Sequence, residues 1–448
     1  MTQASTPTIA ETLADWLASA NINALSSETR EISRRIVLDV AGLCIAARNE
    51  TYVQATISAS GPGDVTAIGH ARGFDAFSAA LINGTAAHGE DYDDTFEGGP
   101  VHSGAVVVSA AMAICEAEGL SGERLLLATA HGAELLCRLS LVTPKAIHKA
   151  GFHPTAVFGT MAAAGAVSVA LGLTKAQTVH ALGIAGSMAS GIIEYLAEGT
   201  WTKRMHAGWA AQSGIRAALM ARGGFLGPRT VFEGTHGFFH AFAPSRKPDF
   251  VALLAELGTR WVIDDIAFKP FACGTMTQPF IDCAIALAAE GVRAEDIVEI
   301  TCDVGEGTVH RLWEPLAVKH RPQTPYAAKF STPFCMAIGF LDGKAGLGQF
   351  SEARIADRQA QELAAKIRYV INPNDPYPDN FIGHLKATLK NGETRVLMQD
   401  HMRGGAHAPM SLAEVETKFI DNAVYGGWNA DAAQAARSSL RALFDRAD

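Results

Sequence analysis

This sequence holds little charge. Asp, Glu, Lys and Arg make up 19% of its 448 residues, below the ~25% usual for soluble domains, and its mean hydropathy is slightly positive. Disorder is excluded as a description of the whole, and much of the chain must be buried. At roughly 100–200 residues per domain, the length predicts two to four domains.

Basic residues are the scarcer sign. Against 46 Asp and Glu stand 37 Lys and Arg, a formal charge of −9, which works against a nucleic acid or an anionic membrane as the main partner. An acidic substrate stays open, since a locally positive pocket in a dry cleft is screened far less than a surface. Cofactor signatures are missing as well. There is no Walker loop and no Gly-x-Gly-x-x-Gly between a strand and a helix, and the glycine-rich run Ala221–Gly227 lacks that context. No nucleotide, nicotinamide or flavin site is inferred. His-Glu-x-x-His is absent and no close histidine pair has a carboxylate at ligand spacing, so no metal centre is expected, although His102 and His153 could meet in space.

The seven cysteines form no Cys-x-x-Cys pair and sit mostly in apolar runs, which predicts buried free thiols and a cytoplasmic setting. The stretch Met1–Glu11 lacks the basic start and apolar run of a secretory leader. Neither a tandem repeat nor a low-complexity tract is found.

What the chain has is helix signal. From Thr8 to about Gly234, apolar stretches of helical length recur at Ile32–Ala47, Gly104–Ala117, Leu125–Leu139, Val157–Leu171 and Ala176–Ile193. Thr8–Glu11 and Thr174–Gln177 have capping-box spacing, Ser121 with Glu123 is a looser start, and glycines near Gly119, Gly172 and Gly223 punctuate the runs. Gly151–Thr174 has no charged residue and the length to span a bilayer. Its Ala, Gly and Thr content, with His153 and Pro154 at the front, reads instead as a core helix packed through small residues.

Beyond about Phe268 the texture changes. Ile297–Val304 and Lys366–Ile371 have strand character, and His384–Met398 alternates on both sides of Asn391-Gly392, a hairpin signal. Helical segments at Thr275–Ala289 and Asp357–Ile367 are interleaved. Two further helices, opening at Ser411 and Asn429, are expected to return to the first core. The prediction is a two-domain, mainly α protein: an all-helical domain at 1–267 and 401–448, with an α+β domain inserted at 268–400.

The densest polar cluster is Asn83–Thr95. If its helix continues, His88, Asp91 and Thr95 fall at i, i+3 and i+7 on one face, shortly before His102 at the entrance to the next apolar helix, where open backbone amides favour an anion. His153, directly before Pro154, is placed for a base working near neutral pH. Lys203, Arg204 and His206 group ahead of another small-residue helix and could receive a carboxylate. Lys269 lies between apolar residues, an unusual place for a lysine unless an anion meets it. Each has a plainer reading: an acidic helix end, a histidine capping the core, a solvated cationic turn.

In order and spacing together, these pieces resemble the MmgE/PrpD family, which contains 2-methylcitrate dehydratase, cis-aconitate decarboxylase and iminodisuccinate epimerase. The resemblance runs from Asn83–Thr95 through His102-Ser-Gly, Gly-Phe-His-Pro-Thr155, Thr202-Lys-Arg-Met-His-Ala-Gly and Phe268-Lys-Pro-Phe to Ala328-Lys-Phe-Ser331. It implies a homodimer of two-domain chains, an active site between the domains, and no metal or organic cofactor. Asp91, His102, His153, Lys203 and Lys269 fall on catalytic positions, and Thr95, His206 and Arg204 on the substrate-binding side. The pattern is nearest to the family's epimerases. The expected activity is therefore proton abstraction and return at the α-carbon of a small amino-polycarboxylate such as iminodisuccinate, with dehydration of a 2-methylcitrate-like acid as the alternative. A non-catalytic helical ligand-binding protein is the alternative of another class.

In this scheme His153 pairs with Lys203 or His102 as acid and base. Asp91 orients a histidine, Thr95 binds a carboxylate, and Lys203 and Lys269 offset the developing charge. The chain departs from the family pattern at Gly274, where relatives such as the decarboxylase carry histidine, and in the run Phe96–His102.

Overall fold

The structure, a computed structural model, describes residues 6–99 and 101–444. The start of the Met1–Glu11 stretch and one position of the Phe96–His102 run thus lie outside the described residues. The chain forms two compact units, one of Met1–Gly89, Asp93–Ile266 and Leu412–Asp448, the other of Glu90–Tyr92 and Ala267–Ser411.

The first unit is built around the helix Pro154–Ala170, whose 17 residues are all buried. Its Ala and Gly surface lets the helices Gly122–Val142, Ser103–Ala117 and Thr202–Arg222 approach closely. Both capping boxes form, at Thr8 and Thr174, and the Ser121 side chain accepts from the Arg124 amide. Gly122–Val142 is long and apolar enough to cross a membrane, and nearly all of it is buried. Near the chain's end, Leu412–Tyr425 packs on Ser27–Ala47, where Lys418 and Asp39 form a buried ion pair at 2.7 Å.

Three local expectations are corrected. The first unit is not purely helical: Pro62–Thr66 pairs antiparallel with Gly73–Phe74, strands too short to leave a periodic signal. The run expected to reach Ile193 ends as a helix at Met188, and Gly191 beyond it has φ +123°. The polar cluster does not continue its helix either. Ala76–Gly89 stops at Gly89, Asp91 turns to φ +57°, and Thr95 lies in a two-residue strand, Thr95–Phe96. His88, Asp91 and Thr95 therefore share no helical face.

The second unit holds a four-stranded sheet with the order Ile367–Ile371, Ile297–Val304, Gly383–Leu389, Thr394–Gln399. Its first pair is parallel and the other two are antiparallel. The hairpin turns at Asn391-Gly392, with Gly392 at φ +85°. Helices Gln278–Ala289 and Thr332–Asp342 contribute Phe280, Leu287 and Met336 to a core with Ile300, Trp313 and Leu385.

Candidate active site

Two helices of the first unit, Ala76–Gly89 and Thr202–Arg222, cross at a pair of glycines. A Cβ on Gly84 would lie 2.5 Å from the Gly208 Cα, and one on Gly208 would lie 2.1 Å from the Leu81 carbonyl oxygen. Only residues without a Cβ let the backbones meet this closely. The crossing sets His88, a turn beyond Gly84, beside Lys203 and His206, which precede Gly208. All three are buried.

Two more histidines stand at helix starts. His102 is the N-cap of Ser103–Ala117 and His153 that of Pro154–Ala170, and neither ring caps its own helix. Asp94 does the capping at the first. Its carboxylate accepts from the Ser103 amide at 3.1 Å, the Ser103 hydroxyl at 2.9 Å and the Gly104 amide at 2.9 Å. The Asp94 carbonyl accepts from His102 Nδ1 at 2.8 Å. A carbonyl can only accept, so Nδ1 carries the proton and Nε2 presents a lone pair. The His102 amide donates to the Thr155 hydroxyl at 3.2 Å, and the His153 amide to the Gly191 carbonyl at 2.8 Å. Both imidazoles are thus located by backbone.

Asp93 lies between imidazoles and is fully buried. Its Oδ2 is 2.7 Å from His88 Nδ1, and its Oδ1 is 3.4 Å from His102 Nδ1. The His153 and His206 Nδ1 atoms meet at 3.2 Å, a contact in which one must accept, so the pair cannot be doubly charged. The His88 ring lies 5.5 Å from that of His153, nearly parallel, and 4.9 Å from that of His102, edge-on.

The electrostatics follow from burial and neighbours. Burial first, then the charges of His88, Lys203, His206 and His102, holds His153 well below the usual histidine range. Burial, with His88 and Lys203, lowers His206 to about 4. Burial also lowers His88, while the Asp93 charge pulls the other way. For Asp93 burial opposes ionisation, yet His102 and His88 hold it well below the carboxylate range. Asp94 is raised to about 6 by burial, then by Asp93 and Asp39. Near neutral pH, His88, His153 and His206 are therefore neutral, beside the ionised carboxylate of Asp93.

Of the residues singled out in the sequence, His102, His153, Lys203 and His206 come together here. Arg204 does not join them, because its guanidinium lies over the Tyr52 ring at 4.4 Å. Thr95 is buried on its short strand. Lys269 and Asp91 both belong to the second unit. Lys269 Nζ donates to the Asp91 carbonyl at 2.8 Å and lies 3.4 Å from its Oδ1. On either side, Glu90 pairs with Lys329, and the Tyr92 hydroxyl donates to the Pro270 carbonyl at 3.0 Å. The sequence cast Asp91 as the carboxylate that orients a histidine. Asp93 takes that position for His88.

His88, Asp93 and His102 also bring ligand atoms within 4.8 Å of one another, a grouping that sequence spacing did not suggest. The nitrogens facing the carboxylate are hydrogen-bond donors, to Asp93 and to the Asp94 carbonyl. The set fits a proton network better than a metal cage, whose nitrogens must offer lone pairs.

Family models match on both sides of the chain: the MmgE/PrpD N-terminal domain over residues 11–251 and the MmgE/PrpD C-terminal domain over residues 271–442. The chain belongs to the MmgE/PrpD family. Its relatives in this family include a cis-aconitate decarboxylase of Homo sapiens, 32% identical over 77% of this chain and 72% of the relative. One of Mus musculus is 31% identical over 77% and 71%. A cis-aconitate decarboxylase-like protein of Aspergillus oryzae is 25% identical over 91% and 89%.

Sequence reasoning passed over three members of this MmgE/PrpD site: His88 as a site group in its own right, Asp93 and Asp94. All lie inside the polar segment Asn83–Thr95, which was the available signal. Their roles depend on the chain leaving the helix at Gly89, which residue spacing does not encode.

Proposed function

We propose that this chain is a lyase of a small polycarboxylate, working through a carbanion formed beside a carboxylate. The observation that carries this reading is the buried set of neutral imidazoles, His88, His153 and His206, gathered around Lys203, with His102 beside His88. A carbanion next to a carboxylate adds charge to an already anionic molecule. Lys203 offsets it. A neutral imidazole can take or give a proton near neutral pH, a contribution of roughly 10²–10⁴-fold. Lys269 keeps the second cationic role that its family position implies, and Thr95 the binding of a carboxylate.

The curated relatives support cleavage over epimerisation, since they are named as decarboxylases of the tricarboxylate cis-aconitate. Loss of CO₂ leaves an electron pair on carbon that a protonated histidine can quench. Dehydration of a 2-methylcitrate-like acid needs the same base with an acid for the departing hydroxyl. Epimerisation of iminodisuccinate is the second reading. It is favoured by the presence of more than one imidazole, so that one can remove a proton and another return it.

Purified protein with cis-aconitate, 2-methylcitrate and iminodisuccinate separates these. Release of CO₂ or a new conjugated double bond supports a lyase, and chiral inversion without either supports an epimerase. Binding without any change supports a ligand-binding protein.

The same footing supports two further assignments. Trp201, Met205, Trp209 and Met220 form an exposed apolar stripe along Thr202–Arg222, which suits a second copy of the chain. All seven cysteines are free thiols, which suits a cytoplasmic setting.

A further inference from the structure

One carboxylate oxygen in the site accepts no hydrogen bond. Asp93 Oδ1 is buried and accepts no hydrogen bond, although Oδ2 of the same carboxylate is held by His88 at 2.7 Å. Leaving an ionised oxygen unsatisfied in a dry interior costs free energy, so such an atom calls for an explanation. The nearest donor is His102 Nδ1 at 3.4 Å, now committed to the Asp94 carbonyl at 2.8 Å. A small turn of the ring moves that proton from a neutral acceptor to a charged one. A neutral imidazole gains little by the exchange, whereas an imidazolium gains a counter-charge.

We propose that Asp93 is a positioning residue for the reaction, anchored by His88 through Oδ2 so that Oδ1 receives the Nδ1–H of His102 when that ring takes a proton at Nε2. The inference rests on the carbanion reading above and assigns its base. In the step, the substrate C–H bond breaks, its electron pair stays on carbon beside the carboxylate, and the proton goes to His102 Nε2. For a decarboxylation the C–CO₂ bond breaks and its electron pair stays on carbon, and His102, protonated beforehand at Nε2 from solvent, delivers that proton to the carbanion. His153 is the weaker candidate for carrying charge, because its Nδ1 faces the neutral His206 and not a carboxylate.

The groups facing His102 are Asp93 and Asp94 before it, His88 at the end of Ala76–Gly89 and His153 at the head of Pro154–Ala170. Lys203 on Thr202–Arg222 bears on His88 and His153, and Asp39 on Ser27–Ala47 bears on Asp94. Among the described residues, only Asp93 offers the ring a carboxylate oxygen without another donor.

The test compares wild type with Asp93→Asn, which keeps the shape and an acceptor but removes the charge. Two readouts are taken: ¹⁵N-imidazole NMR titration of His102, and the pH profile of kcat on the substrate that the wild type turns over. The expected result is a His102 pKa lower by about one pH unit or more, the limb of kcat that reports His102 (acidic where it takes a proton, basic where it gives one) displaced to lower pH by the same amount, and kcat down by about 100-fold with KM nearly unchanged. A His102 pKa that does not move overturns the proposal, as does a fall in kcat with an unshifted profile. If Asp93→Asn fails to fold, the wild-type Nδ1 proton decides. It must move to a more strongly hydrogen-bonded position as His102 is protonated, and no change overturns the proposal. The NMR arm needs no substrate, so a wild type inactive on every carboxylate counts against the lyase reading alone.

Discussion

Gly84 and Gly208 face each other where their helices cross, with 2.5 Å between a Cβ built on the first and the Cα of the second. This contact fixes the spacing between His88 on one helix and Lys203 with His206 on the other. Gly84→Ala should push the helices apart, at a cost of about 1–3 kcal/mol by analogy with overpacked cores. Turnover should fall by more than the loss of folded protein explains. Thermal unfolding and kcat measured on the same preparation check both effects, and wild-type values would mean the crossing tolerates a methyl group.

Lys203 and Arg204 are neighbours in sequence but not in role. Lys203→Ala should lower kcat by about 10²–10³-fold, the scale of losing one electrostatic stabiliser of a transition state. Arg204→Ala removes a cation–π contact with Tyr52 and should cost about 0.5–1 kcal/mol of stability with kcat nearly unchanged. Steady-state kinetics and denaturant titration of the two variants check the contrast.

Acid should destabilise the fold through its buried histidines. His131, buried against Trp16 and Trp261, is held at about 4 by desolvation, and His206 is held at about 4. The unfolded chain binds these protons near pH 6.5, so the stability present above 6.5 is lost as pH falls towards 4. At about 1.4 kcal/mol per pH unit, His131 alone contributes on the order of 3 kcal/mol. Urea midpoints measured from pH 7 to 4 should fall steadily, and His131→Gln, if folded, should flatten the slope.

The order of legibility follows from what local sequence encodes. Capping at Thr8 and Thr174, the Asn391-Gly392 turn and the buried Ala/Gly helix are written in short windows, and each formed as read. The Pro62–Thr66 hairpin was invisible because its partner strand, Gly73–Phe74, is only two residues long. His102, His153 and Lys203 could be picked out by residue type and helix position. Asp93 and Asp94 could not, since their use depends on Asp91 at φ +57° breaking the helical register. Arg204 was grouped with Lys203 by adjacency, yet one residue along a helix is a rotation of about 100°, enough to carry its side chain to Tyr52.

The apolar stripe on Thr202–Arg222 carries the self-association proposal. Trp209 is 42% exposed and stands one turn from Met205. Trp209→Glu should shift the protein towards monomer in sedimentation velocity at micromolar concentration. A wild-type monomer, or a variant that assembles as before, contradicts the use of this face.

Carbanion chemistry at a carbon beside a carboxylate exchanges hydrogen at that carbon with solvent, which incubation in D₂O followed by mass spectrometry reads out. Cis-aconitate, 2-methylcitrate and iminodisuccinate are each exposed to the protein, and both remaining substrate and product are analysed. At least one is expected to lose CO₂ or water, with deuterium from solvent entering at carbon. Deuterium entry with inversion and no loss would assign epimerisation in place of cleavage. No loss and no deuterium in any of the three would rule out this carbanion chemistry.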